Sequence, residues 1–119
     1  MIIGIGVDVV HIDRFEKTLE RSASLRTRLF TEDERDLPMR SLAGRFAAKE
    51  ALAKALGAPA GLRFLDAEVV KDTNGQPSFV ITGTVAARAE ELGVAHLHLT
   101  ITHDAGIASA MVVVEGPRA

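Results

Sequence analysis

Two acidic side chains, Asp8 and Glu50, are the first candidates for chemistry in this chain of 119 residues. Asp8 interrupts the apolar segment 2–10, where a carboxylate is costly unless it is paired or bound to a metal ion. Glu50 lies in the Ala-rich segment 42–57. Magnesium needs only one or two protein carboxylates when phosphates and water complete its shell, so the pair predicts a Mg²⁺ site. Two plainer interpretations stay open: Asp8 could cap a helix or pair with an arginine, and Glu50 could pair with Lys54.

Basic side chains near Glu50 extend this prediction to a phosphate-bearing substrate. Arg45, Lys49 and Lys54 share the segment with Glu50, and all three could bind phosphate oxygens. The turn at Asn74 and Gly75 is expected to offer free backbone N–H groups, which also suit phosphate. Together these residues indicate magnesium-dependent chemistry on a phosphorylated ligand.

His103 is the remaining candidate for chemistry, at the end of the alternating segment 96–103. It could act as a general base or contact a phosphate, with Asp104 beside it. It could equally be an ordinary histidine at the rim of a strand. His96 and His98 share the opposite face, where two exposed histidines are a simpler interpretation than a metal-chelating pair.

Segment 42–57 must be the element that positions Glu50 and its basic neighbours. Ala, Leu, Lys, Arg and Glu dominate it, and these residues are strong helix formers. Ser41 is predicted to cap the first turn and Gly57 to end the helix. Apolar residues fall on two faces rather than one, which predicts packing on both sides with charges at the seam.

The other elements are predicted from periodicity and turn signals. Segment 2–10 is expected to be a buried strand in which Gly4 and Gly6 leave room for a close neighbour. Thr31 followed by Glu34 predicts a capping box and a short helix. Further strands are predicted over 64–71, 77–81, 96–103 and 107–115, and further helices over 13–20 and 82–92. The class is therefore α+β with a small, mainly antiparallel sheet, in one domain spanning 1–119.

Composition argues against several classes of function. The net charge is −2 and the only aromatic residues besides histidine are five Phe, which disfavours nucleic-acid binding. The absence of cysteine excludes disulfides and thiolate chemistry. No segment reaches the roughly 18 apolar residues of a membrane span. The apolar N-terminal segment lacks the basic residues of a signal peptide, so we expect a cytoplasmic location and no membrane contact.

The segment after the first strand is locally basic. Only three acidic residues lie among its five cations, which are Arg14, Lys17, Arg21, Arg26 and Arg28. Such a cluster is either a solvated helix face or a surface that docks an acidic partner.

Four stretches in this order and spacing resemble a known family: GVDVVHIDRF, LAGRFAAKEALAKALG, DTNGQP and LTITHDAGIASA. They are similar to the short, stand-alone 4′-phosphopantetheinyl transferases known as holo-[acyl-carrier-protein] synthases. The most specific part is RFAAKEA with the upstream pattern GxDxxxxxR, carried here by Gly6, Asp8 and Arg14. The resemblance implies magnesium-dependent transfer of 4′-phosphopantetheine from coenzyme A to a serine of apo acyl carrier protein. Adenosine 3′,5′-bisphosphate is the implied second product, and fatty acid biosynthesis the implied purpose.

The resemblance also implies roles for individual residues. The side chains implied in catalysis are Asp8, Glu50, Lys54 and His103, with Mg²⁺ held by the first two. Coenzyme A is expected to contact Arg45, Lys54, Asn74, Gly75, Pro77 and His103. The carrier protein is expected to dock on Arg14, Lys17 and Arg21. Family members are usually trimers with active sites between subunits, so a homotrimer is expected, and two-sided packing of the long helix would follow from it.

Three points stay open at this level. The base that takes the serine proton is either a water held by the metal or a carboxylate, or His103. The loop 57–61 departs from the Gly-Thr-Gly that many family members carry. The alternative function is a non-catalytic module that binds acyl carrier protein, and a small phosphohydrolase is a third. The carboxylates at 8 and 50 argue against the binding module, because a pure binder gains nothing from two of them near phosphate.

Overall fold

The order of helices and strands confirms the α+β class. The computed structural model describes residues 1–118. The strands are β1 (Ile2–His11), β2 (Ala67–Lys71), β3 (Pro77–Ile81), β4 (His96–Asp104) and β5 (Ile107–Glu115). The helices are α1 (Ile12–Arg21), α2 (Ala23–Leu29), α3 (Met39–Ala55) and α4 (Gly83–Leu92), with a 3₁₀ turn at Phe64–Asp66.

The strands of residues 1–118 form two antiparallel sheets rather than the single sheet predicted. The larger sheet has the order β1-β5-β4, and β2 pairs with β3 in a separate ribbon. The hairpin of β4 and β5 is confirmed, with Asp104 opposite Ile107 across the turn. Because β5 is central, β1 and β4 lie on opposite sides of it.

Helix α3 lies across the inner face of the larger sheet and makes its closest approach at β1. A Cβ atom at Gly6 would overlap the carbonyl oxygen of Ala51, and one at Gly4 would overlap that of Ala55. The close neighbour expected beside these glycines is therefore the backbone of α3 itself. This contact fixes the distance between the strand that carries Asp8 and the helix that carries Glu50.

Helix α3 is buried on both sides, as predicted, but its neighbours belong to the same chain. One side packs on the sheet, and on the other Phe46 stacks on Phe15 of α1 with ring centroids 4.8 Å apart. A subunit interface is therefore not needed to explain the two apolar faces. The predicted cap at Ser41 is wrong, since α3 begins at Met39 directly after Pro38. The fixed φ of proline favours a helix start there, and the residue before it is biased away from helix.

Two other predictions of local structure are wrong. Segment 31–37 is a series of turns and not a helix, although the Glu34 carboxylate does accept the Thr31 N–H at 3.0 Å. Residues 64–66 form the 3₁₀ turn, so β2 begins only at Ala67. In both places the chain curves around α3, and the local pattern carries no signal for that curvature.

Strand β1 is buried on one face only. Its inner face, at Gly6 and Val10, packs under α3, whereas Ile5, Val7 and Val9 are more than half exposed. Met111 of β5 lies opposite Val7 in the register and is 45% exposed. This exposed apolar area of β1 and β5 is called the outer face below.

Candidate functional site

Asp8 is held by a lysine of α3 and neither caps a helix nor pairs with an arginine. The Lys54 ammonium donates to Asp8 Oδ1 at 3.2 Å and to the Val7 carbonyl at 3.0 Å. The cap of α1 is His11, whose Nδ1 accepts the Arg14 N–H at 3.2 Å. The predicted convergence of β1 and α3 at this point is therefore present in the geometry.

Glu50 completes a pair of carboxylates beside Lys54. Burial raises the pKa of Glu50 above the usual carboxyl value, the charge of Asp8 raises it further, and Lys54 partly offsets both. Two acidic groups that repel one another this way would be stabilised by a cation between them. The donor set fits Mg²⁺, which takes one or two carboxylates plus phosphate and water oxygens. Among residues 1–118, no three His, Asp or Glu side chains converge into a larger metal cage.

A pocket of about 540 Å³ opens next to the two carboxylates. Asp8 and Glu50 lie at one side of it, and Arg14 contributes a cation. Its apolar lining comes from Val10, Phe15, Leu25, Leu29 and Phe46. An apolar floor next to charged groups suits a ligand with an apolar body and an anionic or reactive end.

The basic surface predicted after the first strand lies along α1. Arg14, Lys17 and Arg21 are exposed and free for an external partner. Arg26 is different, because its Nη1 donates to the Arg35 carbonyl at 3.0 Å. The exposed cations begin at the rim of the pocket and lead away from it.

His103 lies on the inner face of β4, against the beginning of α3. A Cβ atom at Gly44 would lie 2.8 Å from His103 Nε2, so this glycine makes room for the ring. Nε2 is 3.0 Å from the Arg40 carbonyl oxygen and must donate, which leaves Nδ1 as the acceptor of the neutral ring. Burial lowers the pKa of His103, and the bond to Arg40 partly offsets that effect.

His103 and Asp8 do not share one site within a single chain. They lie on β4 and β1, with β5 between them. Two strand spacings and an offset of two residues in the register separate their backbones by roughly 12 Å.

Arg45 points into the protein interior. It is 7% exposed, and its Nε lies 3.9 Å from Glu34 Oε2 without a hydrogen-bond partner. Burial lowers the pKa of Arg45, and the charges of Glu34 and Glu68 partly offset that effect. Its predicted contact with coenzyme A therefore requires the outer part of the guanidinium group.

A buried ion pair between Glu34 and Lys49 is the feature that the sequence did not reveal. The two groups lie 2.6 Å apart, with side-chain exposures of 2% and 0%. The prediction that Lys49 could contact a phosphorylated ligand is therefore wrong. Thr31 donates its hydroxyl to Glu68 alongside this pair. The spacing of Glu34 after Thr31 predicts a local helix cap. This spacing does not indicate that Glu34 pairs with Lys49, 15 residues later.

The sequence predicted free N–H groups at Asn74 and Gly75, in the turn that joins β2 to β3, and this prediction is wrong. The Asp72 carboxylate accepts the backbone N–H groups of Asn74 and Gln76, at 2.8 and 2.9 Å. The Gly75 N–H donates to the Asp72 carbonyl at 2.9 Å. Pro77, together with Leu99 of β4, lines a separate pocket, so this turn lies on the β4 side of the larger sheet and away from Asp8.

The sequence and the fold match one protein family. The family model described as the 4′-phosphopantetheinyl transferase superfamily matches residues 4–110. The chain belongs to this superfamily, and the resemblance seen in the sequence is confirmed.

Individual relatives define the match more closely. The holo-[acyl-carrier-protein] synthase of Streptomyces coelicolor is 59% identical, over 97% of this chain and 98% of that protein. The coenzyme A complex of the synthase from Chronobacterium ammoniagenes superposes with a TM-score of 0.84 at 32% identity, over 97% of this chain and 98% of that one. The Helicobacter pylori holo-[acyl-carrier-protein] synthase in complex with coenzyme A superposes with a TM-score of 0.82 at 35% identity, over 93% of this chain and 99% of that one. The predicted fold is thereby confirmed.

Proposed function

We propose that this chain transfers 4′-phosphopantetheine from coenzyme A to a serine of apo acyl carrier protein and releases adenosine 3′,5′-bisphosphate. The observation that carries the proposal is the meeting of Asp8, Glu50 and Lys54 beside a pocket with an apolar floor. Membership of the superfamily and the coenzyme A complexes of relatives support it. We further propose that residues 1–119 act as one domain, in the cytoplasm, on a carrier of fatty acid biosynthesis.

In this reaction the serine oxygen forms a bond to the phosphorus that carries pantetheine, and the bond from that phosphorus to the bisphosphate breaks. Asp8 and Glu50 would hold Mg²⁺, which when bound supplies positive charge to the diphosphate. Lys54 is half exposed and can move its N–H donors from Asp8 to a phosphate oxygen.

The serine proton is the second requirement of the reaction. Glu50 lines the pocket together with Asp8, so it can hold a water that accepts this proton. His103 is a poorer candidate for the same chain, because it lies across β5 and its Nε2 is bound to Arg40.

The outer face supports a homotrimer with active sites between subunits. Ile5, Val7, Val9 and Met111 present apolar side chains that are each 45% exposed or more. A contiguous apolar area of this kind is typical of a subunit interface. In this proposal, His103 and the turn at Pro77 of one copy complete a site with Asp8 and Glu50 of another.

Mass spectrometry of the carrier protein tests the transfer directly. Apo carrier, coenzyme A and Mg²⁺ are incubated with the chain, and the carrier should gain the mass of one phosphopantetheinyl group. Asp8→Asn and Glu50→Gln should each abolish the gain while leaving the circular dichroism spectrum unchanged. Asp33→Asn, in an exposed turn, is the matched control and should transfer normally.

The same experiment separates the alternatives. Binding of carrier with no change in its mass would support the non-catalytic module instead. Release of inorganic phosphate without carrier would support a phosphohydrolase. Full activity of either carboxylate variant would remove that residue from the proposed site.

Carrier docking has its own test. Arg14→Glu reverses an exposed charge at the rim of the pocket and should raise KM for the carrier while leaving KM for coenzyme A unchanged. Arg118→Glu is the control, because it is exposed beyond the end of β5 that pairs with Ile2, away from the pocket. An unchanged carrier KM for Arg14→Glu at low salt, where charges are least screened, would contradict docking on α1.

Shared active sites predict complementation between inactive copies. Mixed trimers of Asp8→Asn and His103→Ala would contain some sites with both native residues, so refolding the two variants together should restore activity. Separate refolding should not. If sedimentation shows a monomer, or if mixing restores nothing, each site lies within one chain.

A further inference from the structure

Helix α2 forms one wall of the pocket but is weakly attached to the rest of the chain. It has only seven residues, and none of its side chains is fully buried. Two of them, Leu25 and Leu29, line the pocket. Apart from the bond of Arg26 to the Arg35 carbonyl and the partial packing of these two leucines on the core, the position of this wall depends on contacts made to the backbone of α2.

The strongest such contact comes from Lys49 of α3. Its ammonium donates to the carbonyl of Leu29, the last residue of α2, at 2.7 Å. Its other two N–H groups donate to Glu34 at 2.6 Å and to the Phe64 carbonyl at 3.2 Å. All three donors are thus used, and each bond leads to a different segment around the same buried point.

Glu34 fixes the direction of the lysine side chain. Its Oε1 accepts from Lys49 and from the Thr31 N–H, and its Oε2 accepts the Val69 N–H at 2.9 Å. The carboxylate is therefore tied to the turn after α2 and to β2 as well as to α3. A lysine held this way can present its third donor to Leu29 in one direction only.

The chemistry of the pair favours a geometric role over a purely stabilising one. Burial lowers the pKa of Lys49, and Glu34 only partly offsets this effect. Apolar residues of similar volume are often as stabilising as a buried ion pair. They would not, however, reach the carbonyls of Leu29 and Phe64. The charged pair therefore adds a connection of fixed geometry between α3, which packs on β1, and α2, which forms the opposite wall of the pocket.

We propose that Glu34 and Lys49 are positioning residues that hold α2 as the wall on which the carrier protein docks. The inference rests on the proposed function, because it takes the pocket beside the two carboxylates as the place where carrier is received. Neither residue touches the reacting atoms. Their removal should therefore weaken carrier recognition more than the chemical step.

A double variant separates positioning from folding. Removing one partner would strand a buried charge, so Glu34→Gln and Lys49→Met are combined. Arg45, whose Nε lies 3.9 Å from Glu34, keeps the nearby negative charge of Glu68. The variant should fold, raise KM for apo carrier about tenfold and leave kcat and KM for coenzyme A within about twofold. Val85→Ala in α4, which removes core volume away from the pocket, is the control for general destabilisation and should change none of the three.

Hydrogen exchange gives a readout that does not depend on activity. Amides of α2 should exchange faster in the double variant, while those in the middle of α3 keep their protection. Unchanged exchange in α2, or faster exchange with an unchanged carrier KM, would overturn the proposal, as would a parallel rise of both KM values. If the unmodified chain transfers nothing, the proposed function falls, while exchange still decides whether the pair holds α2.

Discussion

Two lysines of α3, five positions apart, each bind a carboxylate from another part of the chain, yet their surroundings are opposite. Lys49 meets Glu34 at 2.6 Å with its side chain fully enclosed. Lys54 meets Asp8 at 3.2 Å with half of its side chain in solvent. The first lysine donates to two backbone carbonyls in addition, the second to one.

The difference shows which pair is available for chemistry. A buried ammonium with all donors used cannot change partners without leaving an unsatisfied charge in the interior. An exposed ammonium can leave its carboxylate at little cost, because water replaces the lost contact. We therefore propose that the pair formed by Lys49 maintains the fold and that the pair formed by Lys54 takes part in the reaction.

The largest effect is expected from breaking the buried pair on one side only. Lys49→Met leaves Glu34 without its main partner, and the free energy of unfolding should fall by about 3–5 kcal/mol. Urea denaturation followed by circular dichroism measures this. A loss below about 1 kcal/mol would show that this buried pair stabilises the fold no more than an exposed ion pair does.

Breaking the exposed pair should affect rate rather than stability. Lys54→Met removes a charge that can reach the diphosphate, and kcat/KM should fall about a hundredfold, whereas unfolding should change by less than about 1 kcal/mol. Initial rates and urea denaturation measure the two quantities. Lys54→Arg keeps the charge and should retain most of the rate; a rate as low as that of Lys54→Met would show that charge is not what Lys54 supplies.

A double-mutant cycle sharpens the comparison further. For Asp8 and Lys54, the coupling in the free energy of unfolding should be only about 0.2–1 kcal/mol, since water replaces Asp8 around the half-exposed Lys54 ammonium when the pair is broken. The cycle uses Asp8→Asn, Lys54→Met and their combination. A coupling of several kcal/mol would show that this pair also maintains the fold.

The smallest effect concerns pH and His103, which packs on the same helix at Gly44. Burial lowers the pKa of His103 below its usual 6.5, so the unfolded chain takes up this proton at a higher pH than the folded chain. The stability contributed by the neutral ring is present above pH 6.5 and is lost as the pH falls through the folded pKa. His103→Gln keeps a donor for the Arg40 carbonyl, so it should lose less unfolding free energy than the unmodified chain between pH 7.5 and 5.5. Equal losses would contradict the shift.

The sequence predicted the regular elements well where one local signal was sufficient. The alternation of Leu97, Leu99 and Ile101 placed the inner face of β4, and Gly93 ended α4 in the left-handed conformation. The two apolar faces of α3 were also visible from helical spacing. The needs of a magnesium ion joined Asp8 to Glu50, whereas resemblance to the family gave the reaction.

The sequence could not predict what depends on distant contacts. Lys49 and Lys54 look alike in an alanine-rich helix, and only the packed structure shows that one is enclosed. The outer face of β1 has the composition of a buried strand, although no element of its own chain covers it. Asp72 takes the N–H groups of its turn, a local bond that the Asn-Gly signal alone does not reveal.

The close approach of α3 to β1 has a consequence for protein engineering. Main-chain atoms of Ala51 occupy the space that a side chain at Gly6 would need, so backbone against backbone sets how far apart the two acidic residues are. Substitutions among the surrounding side chains should leave that spacing unchanged. A redesign intended to accept a larger ion would have to begin at position 6, with the strand and helix moved apart, and only then choose new ligands.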